Sequence, residues 1–129
     1  MNKEFIPYEQ AIELKELKFD EPCLAFYNKE NKINLGYCAN GFQDNTTLEI
    51  KCTAPLYQQS FTWFREKHKI LAVIDSPCNG VGYFYGFNRI ETPLIRGHNF
   101  IQGSDKTHIN YEEAQLACLK QLIKIVKQK

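Results

Sequence analysis

The segment from Asn110 to Lys127 constrains the fold more than any other part of the chain, because it combines a helix start signal with an apolar stripe. As an N-cap, the Asn110 side chain can accept a hydrogen bond from an unpaired backbone N–H of the first turn. Glu113 completes a pattern similar to a capping box. Ile109 is placed to pack on Ala114 as a hydrophobic staple. The apolar residues recur at helical spacing and are Tyr111, Ala114, Cys118, Leu119, Leu122, Ile125 and Val126. Such a helix requires an apolar surface to cover its stripe.

The remaining sequence alternates helical and extended patterns. Pro7 favours the start of a helix, which must end before Pro22 because the residue preceding a proline avoids helical geometry. Helices are predicted over 8–17, 55–68 and 111–127, and strands over 23–28, 33–39, 47–52, 70–75 and 81–88. The long polar stretch over 89–108 is expected to be functional, to be mobile or to contain a short strand around 99–102. This order predicts an α+β fold, in which three helices accompany a mostly antiparallel sheet of four or five strands. The length of 129 residues predicts a single domain over residues 1–129.

Charge and cysteine usage limit the classes of partner and compartment. Sixteen Lys and Arg against fifteen Asp and Glu give a net charge of +1, so no whole-molecule field draws the protein onto DNA or an anionic membrane. Five cysteines at irregular spacing predict free thiols rather than a disulfide framework. No apolar run approaches the roughly 18 residues of a membrane helix, and no signal peptide is recognisable. A cytoplasmic protein without membrane partners is expected.

The sequence offers little support for catalysis. No two cysteines have the close spacing of zinc ligands, so neither a metal nor a cofactor is expected. Cys78, in a turn before Asn79, could be a nucleophile with His98 or His108 as base, but nothing in the sequence places these groups together. We therefore expect no catalytic residues. A small hydrolase or nucleotide-handling enzyme that uses Cys78 or a histidine stays an alternative.

The strand predicted over 81–88 carries the strongest binding signal. Alternation places Tyr83, Tyr85 and Phe87 on one face, where three rings in a row could stack bases of single-stranded RNA or fill a protein pocket. The competing interpretation is that these rings cover the hydrophobic core. The predicted partner-binding residues are Tyr83, Tyr85, Phe87, Arg89, Arg96 and His98.

A second candidate lies at the end of the helix predicted over 55–68. Arg65, Lys67 and Lys69 could contact phosphates of a nucleic acid. The same cations would equally complement the negative end of the helix dipole.

Three segments resemble small proteins carried by phages and prophages of Bacteroidota. They are Leu14–Cys23, Ala54–Lys67 and Tyr111–Lys127. The resemblance brings no catalytic residue or cofactor to this chain. It implies a non-catalytic accessory protein in the cytoplasm of a bacterial host, one that binds a host or defence-system protein or ribonucleoprotein. An inhibitor similar to an anti-CRISPR is the main expectation, and a single-stranded RNA-binding module is the alternative; the oligomeric state is not predicted.

Overall fold

The computed structural model describes residues 2–39, 50–76, 82–90, 100–103 and 108–128, with the backbone alone for residues 2, 37–39 and 100–103. Contacts group the chain into two compact units, unit 1 from Met1 to Gln59 and unit 2 from Ser60 to Lys129. The boundary falls inside helix α2, Tyr57–His68. The single domain over residues 1–129 stays a prediction.

Unit 1 contains one α-helix and three strands among its described residues. A 3₁₀ turn at Asn2–Glu4 precedes α1, Tyr8–Glu16, which is followed by β1, Pro22–Asn28, β2, Ile33–Ala39, and β3, Ile50–Thr53. The sheet order is β2-β1-β3, and both pairings are antiparallel. The hairpin predicted over 23–28 and 33–39 is thereby confirmed. Half of the strand predicted over 47–52 lies outside the described residues, and the described part, Ile50–Cys52, is in β3.

The end of α1 is fixed by its own backbone rather than by the proline that follows. Lys18 adopts a φ of 74°, in the left-handed region. Its N–H donates to the Lys15 carbonyl and the Phe19 N–H donates to the Leu14 carbonyl, both at 3.0 Å. This is the Schellman arrangement, which usually places glycine at the left-handed position. Here a lysine occupies that position at a steric disadvantage.

A bulge bends the β1–β2 ladder. Beyond the pair Ala25↔Leu35, β2 uses one more residue than β1 before pairing resumes, and Gly36 lies within this irregularity. A Cβ built on Gly36 would lie 3.3 Å from Cε1 of Phe26. The Phe26 ring therefore occupies the space that any larger residue at position 36 would need.

The core of unit 1 includes two buried tyrosines. The Tyr27 hydroxyl donates to the Ile6 carbonyl at 2.6 Å, and its ring meets Tyr8 of α1 edge-on at 5.5 Å between centroids. Burial raises the pKa of Tyr57 to about 12, with a further contribution from Tyr27. The pKa of Tyr27 is also raised, first by burial and then by Cys52. Both phenols are therefore neutral in the folded protein at physiological pH.

Unit 2 contains three strands and the last helix. After α2 come β4, Ile70–Asp75, β5, Phe84–Arg89, β6, Phe100–Gly103, and α3, Tyr111–Lys127. The sheet order is β4-β5-β6 with antiparallel pairing throughout. Helix α3 contacts both β4 and β5. The bounds predicted for β4 and α3 from the sequence are confirmed residue for residue.

The α3 cap follows the sequence prediction, whereas its buried face is rotated. The Asn110 side chain accepts a hydrogen bond from the Glu113 N–H at 2.8 Å, as predicted. Tyr111 is exposed and Ile125 is half-buried, although the apolar spacing placed both in the stripe. The buried residues are Ala114, Gln115, Cys118, Leu119, Leu122, Ile123 and Val126. The helix thus presents a face centred closer to Gln115 and Ile123 than predicted.

The α+β class, the three α-helices and the antiparallel pairing are confirmed for the part of the chain that the structure describes. The prediction of one sheet with four or five strands is only approximate, because the described strands form two sheets of three. None of the described helices combines the length and apolarity needed to cross a membrane.

Candidate functional site

The aromatic face predicted on β5 divides into a buried part and an accessible part. Tyr85 and Phe87 are buried, and their rings pack against each other at 5.5 Å between centroids. Because α3 contacts β5, these rings belong to the core of unit 2, as the competing interpretation of the sequence held. Buried rings offer no face to a base or a partner side chain. Of the three aromatic residues, Tyr83 alone is half-buried.

Tyr83 is held by the chain that enters α3. Its N–H donates to the His108 carbonyl at 2.8 Å, and the His108 N–H donates to the Tyr83 carbonyl at 2.7 Å. The Tyr83 ring meets Tyr111 edge-on at 5.6 Å, and the His108 ring stacks on Tyr85 at 6.1 Å. Two backbone hydrogen bonds and two ring contacts therefore fix this end of β5 to the start of α3.

Ile109 and Tyr111 are the exposed apolar residues at this point of the fold. The Ile109 side chain is 87% exposed and that of Tyr111 is 37% exposed. The predicted staple between Ile109 and Ala114 is therefore wrong. The His108 ring stacks on Tyr85, whereas Ile109 follows in a bend between His108 and α3 and stays exposed. We call Tyr83, Ile109 and Tyr111 the α3-start surface.

Among the described residues, the charges beside the α3-start surface are acidic. Glu112 and Glu113 are exposed in the first turn of α3, where carboxylates are favoured by the positive end of the helix dipole. A phosphate backbone approaching this surface would meet two negative charges. A partner carrying Lys or Arg side chains next to an apolar residue would be complementary to it.

The other predicted partner-binding residues are not gathered at this surface. Arg89 is half-buried at the opposite end of β5 from Tyr83, across the ladder from Ile70. Arg96 and His98 lie outside the described residues. The structure therefore brings Tyr83 together with Tyr111, and the exposed Ile109 lies two residues before Tyr111 in the chain. The sequence analysis had assigned both Ile109 and Tyr111 to packing.

The predicted phosphate contacts do not converge on one face of α2. Arg65 and Lys67 are exposed but two residues apart on a helix, so their side chains point to different sides. Arg65 Nη2 lies 3.4 Å from Glu66 Oε1 in an exposed ion pair. Lys69 follows the helix with a left-handed φ of 58° and is exposed. This arrangement suits the helix dipole better than a phosphate cradle.

The described thiols are placed for packing. Cys23, Cys52 and Cys118 are buried, and their thiols are not joined in disulfides, as the sequence predicted for them. Burial raises the pKa of the Cys118 thiol well above its usual range, so the sulfur stays protonated. Cys78, the candidate nucleophile, lies outside the described residues. Within the described ranges, no three His, Cys, Asp or Glu side chains are grouped so that they could hold a metal ion.

No protein-family model, curated protein or solved structure matches this chain. The candidate site is therefore argued from its own geometry.

Proposed function

We propose that the protein is a non-catalytic binding protein and that it attaches to another protein through the α3-start surface. The observation that carries the proposal is the exposure of Ile109 and Tyr111 on a segment that backbone hydrogen bonds hold against Tyr83. A rigid, exposed apolar group loses little conformational freedom on binding. Tyrosines are also among the residues that most often carry binding energy at interfaces.

The partner that fits is a protein surface with basic side chains beside an apolar one. The exposed carboxylates of Glu112 and Glu113 favour that chemistry and disfavour RNA. Stacking of single-stranded RNA would require open ring faces along β5, and Tyr85 and Phe87 are buried there. The sequence resemblance implies a more specific function, that of a phage-borne inhibitor. Such an inhibitor would bind a bacterial defence protein and occupy that protein's surface.

A matched pair of variants tests this function. Ile109→Ser combined with Tyr111→Ser removes the exposed apolar groups from the surface. Leu35→Ser is the control, because Leu35 is 66% exposed on β2 in unit 1. Each tagged protein is used for affinity purification from the bacterial host, with and without RNase, and the recovered partner is then purified and titrated against each variant. We expect the partner to bind the Leu35 variant normally and the double variant at least about thirtyfold more weakly, or about 2 kcal/mol.

Equal binding by the wild type and the double variant would contradict the proposal. Loss of the partner on RNase treatment would also contradict it, since the contact would then depend on RNA. Circular dichroism spectra of all three proteins should coincide, and the melting temperature of the double variant should be only slightly lower, because Tyr111 gives up its ring contact with Tyr83.

A further inference from the structure

Two of the five cysteines lie directly opposite each other in the sheet of unit 1. In the antiparallel pairing of β1 with β2, the Cα partner of Cys23 is Cys38. On β1, the Ala25 carbonyl accepts a hydrogen bond from the Ala54 N–H at 2.9 Å, on the side of β3. Cys23 lies two residues from Ala25, and the extra residue of the bulge belongs to β2, so Cys23 also directs its backbone groups away from β2. The two cysteines therefore form a non-hydrogen-bonded pair.

This position suits a disulfide between the two strands. Opposite residues of a non-hydrogen-bonded pair have Cα atoms about 4.5 Å apart and carry their side chains on the same face of the sheet. A disulfide joins residues whose Cα atoms are about 4.4–6.8 Å apart. Cys52 is placed differently, because its Cα partner is Tyr27. Tyr27 lies four residues, or roughly 13 Å, along β1 from Cys23, so Cys52 is beyond the reach of a disulfide to Cys23.

The end of β2 that carries Cys38 is held by few backbone hydrogen bonds to β1. The bulge interrupts the ladder just before this end. The next pair, Pro22↔Ala39, can form at most one backbone hydrogen bond, because proline has no N–H, and the Pro22 carbonyl also accepts from Gln59 Nε2 at 2.7 Å. Strand β2 is also an edge strand of the described sheet. This end can therefore open locally and give an oxidant access to Cys23, which is buried when the strands are paired.

We propose that Cys23 and Cys38 are a redox pair, which is a dithiol in a reducing compartment and closes into a disulfide when it meets a low-molecular-weight disulfide such as oxidised glutathione. The thiolate of one cysteine attacks a sulfur of the oxidant and releases one thiol. The thiolate of the other cysteine then attacks the mixed disulfide and releases the second thiol. The protein thus loses two electrons and two protons, and the oxidant is reduced to two thiols. The new bond closes a loop of about 15 residues and fixes the end of β2 on β1.

Peptide mapping tests the linkage without any substitution. The folded wild type is incubated with an excess of oxidised glutathione, its remaining thiols are blocked, and it is digested with trypsin without reduction. Cleavage after lysine and arginine releases residues 19–29, whose one cysteine is Cys23, and residues 33–51, whose one cysteine is Cys38. We expect mass spectrometry to find these two peptides joined, and dithiothreitol to separate them.

Urea unfolding measures the effect on stability, with each protein compared with its own reduced form. Oxidation should raise the folding equilibrium constant of the wild type about a hundredfold, because the cross-link restricts the unfolded chain. Cys38→Ser should gain no stability from the oxidant. Cys52→Ser is the matched control and should gain as much as the wild type. The Ile109→Ser, Tyr111→Ser protein should also oxidise normally, which separates this inference from the proposed function.

Two results would overturn the redox pair. One is a wild type in which the thiols of Cys23 and Cys38 stay reduced in excess oxidised glutathione, or in which either of them is joined to a different cysteine. The other is a Cys38→Ser protein that gains as much stability from the oxidant as the wild type does.

Discussion

The cores of the two units are held by different chemistry. In unit 1, the Tyr27 hydroxyl donates to a backbone carbonyl at 2.6 Å beside the buried Tyr57, so polar groups have been taken out of water and must stay satisfied. In unit 2, α3 covers the sheet mainly with aliphatic side chains, among them Leu119, Leu122 and Ile123. The first core adds a directed hydrogen bond to its buried apolar area, whereas the α3 side of the second core depends mainly on buried area and shape. The two cores should therefore respond to different substitutions.

The largest expected change in the free energy of unfolding is in the core of unit 2, where α3 covers the sheet. Leu122→Asp would place a carboxylate where Leu122 is fully buried, and should cost about 4 kcal/mol or more, comparable to the stability of a small domain. Leu122→Met is the matched control and should cost less than about 1.5 kcal/mol because it conserves volume. Urea unfolding followed by circular dichroism measures both. An unchanged midpoint for the aspartate variant would show that α3 is not docked in solution.

The core of unit 1 should lose stability at alkaline pH. Tyr57 has its pKa raised from 10.0 to about 12, so the folded state binds the phenolic proton more tightly than the unfolded state. This contribution is complete below pH 10 and is lost as the pH rises from 10 to about 12, by roughly 2 kcal/mol. Urea midpoints across this range should fall more for the wild type than for Tyr57→Phe. If the urea midpoints of the two proteins fell in parallel with pH, the raised pKa of Tyr57 would be refuted, since the two proteins share all other titrating groups.

A hydroxyl deletion measures the hydrogen bond itself. Tyr27→Phe leaves the carbonyl of the fully buried Ile6 without its phenolic donor and should cost about 1–2 kcal/mol. Tyr8→Phe is the control, because Tyr8 is half-buried and the edge-on contact between the rings is kept. It should change the free energy of unfolding by less than about 0.5 kcal/mol. If Tyr27→Phe and Tyr8→Phe lowered the free energy of unfolding equally, the Tyr27 hydroxyl would have no special role in stability.

The smallest expected effect concerns the backbone of unit 1 rather than its core. Lys18→Gly relieves the left-handed conformation at the end of α1 and should raise the free energy of unfolding by about 0.5–1 kcal/mol. Lys18→Ala retains a Cβ and should give no such gain. Thermal unfolding of the two variants distinguishes them. If Lys18→Ala also raised the free energy of unfolding, the unfavourable feature would be the charge of Lys18 and not its φ.

Local signals made part of this fold predictable. Helix α3 carries its cap at Asn110 and its apolar period within the same segment. Strand β4 is a continuous apolar run between a helix end and a sequence with turn-forming residues. These elements need no information from distant residues. The sequence analysis attributed the end of α1 to Pro22. The structure ends the helix at the left-handed Lys18, and a lysine in the sequence gives no indication of a left-handed φ.

The candidate site was only partly predictable, since its geometry depends on tertiary contacts. Alternation separates Tyr83, Tyr85 and Phe87 from Phe84 but does not say which face the helix covers. Ile109 fits a staple pattern locally, yet it stays exposed in the bend after His108, which pairs with Tyr83. That pairing joins residues far apart in the chain, beyond the reach of pattern reasoning.

The crowding of Gly36 by the Phe26 ring has a consequence for which sequences this fold can tolerate. A side chain at position 36 would require the buried Phe26 ring to shift by a few tenths of an ångström, so glycine is the residue that fits without rearrangement. Its neighbour Leu35 is exposed and can vary freely. Along β2, a substitution at Gly36 should therefore change the free energy of unfolding more than one at Leu35.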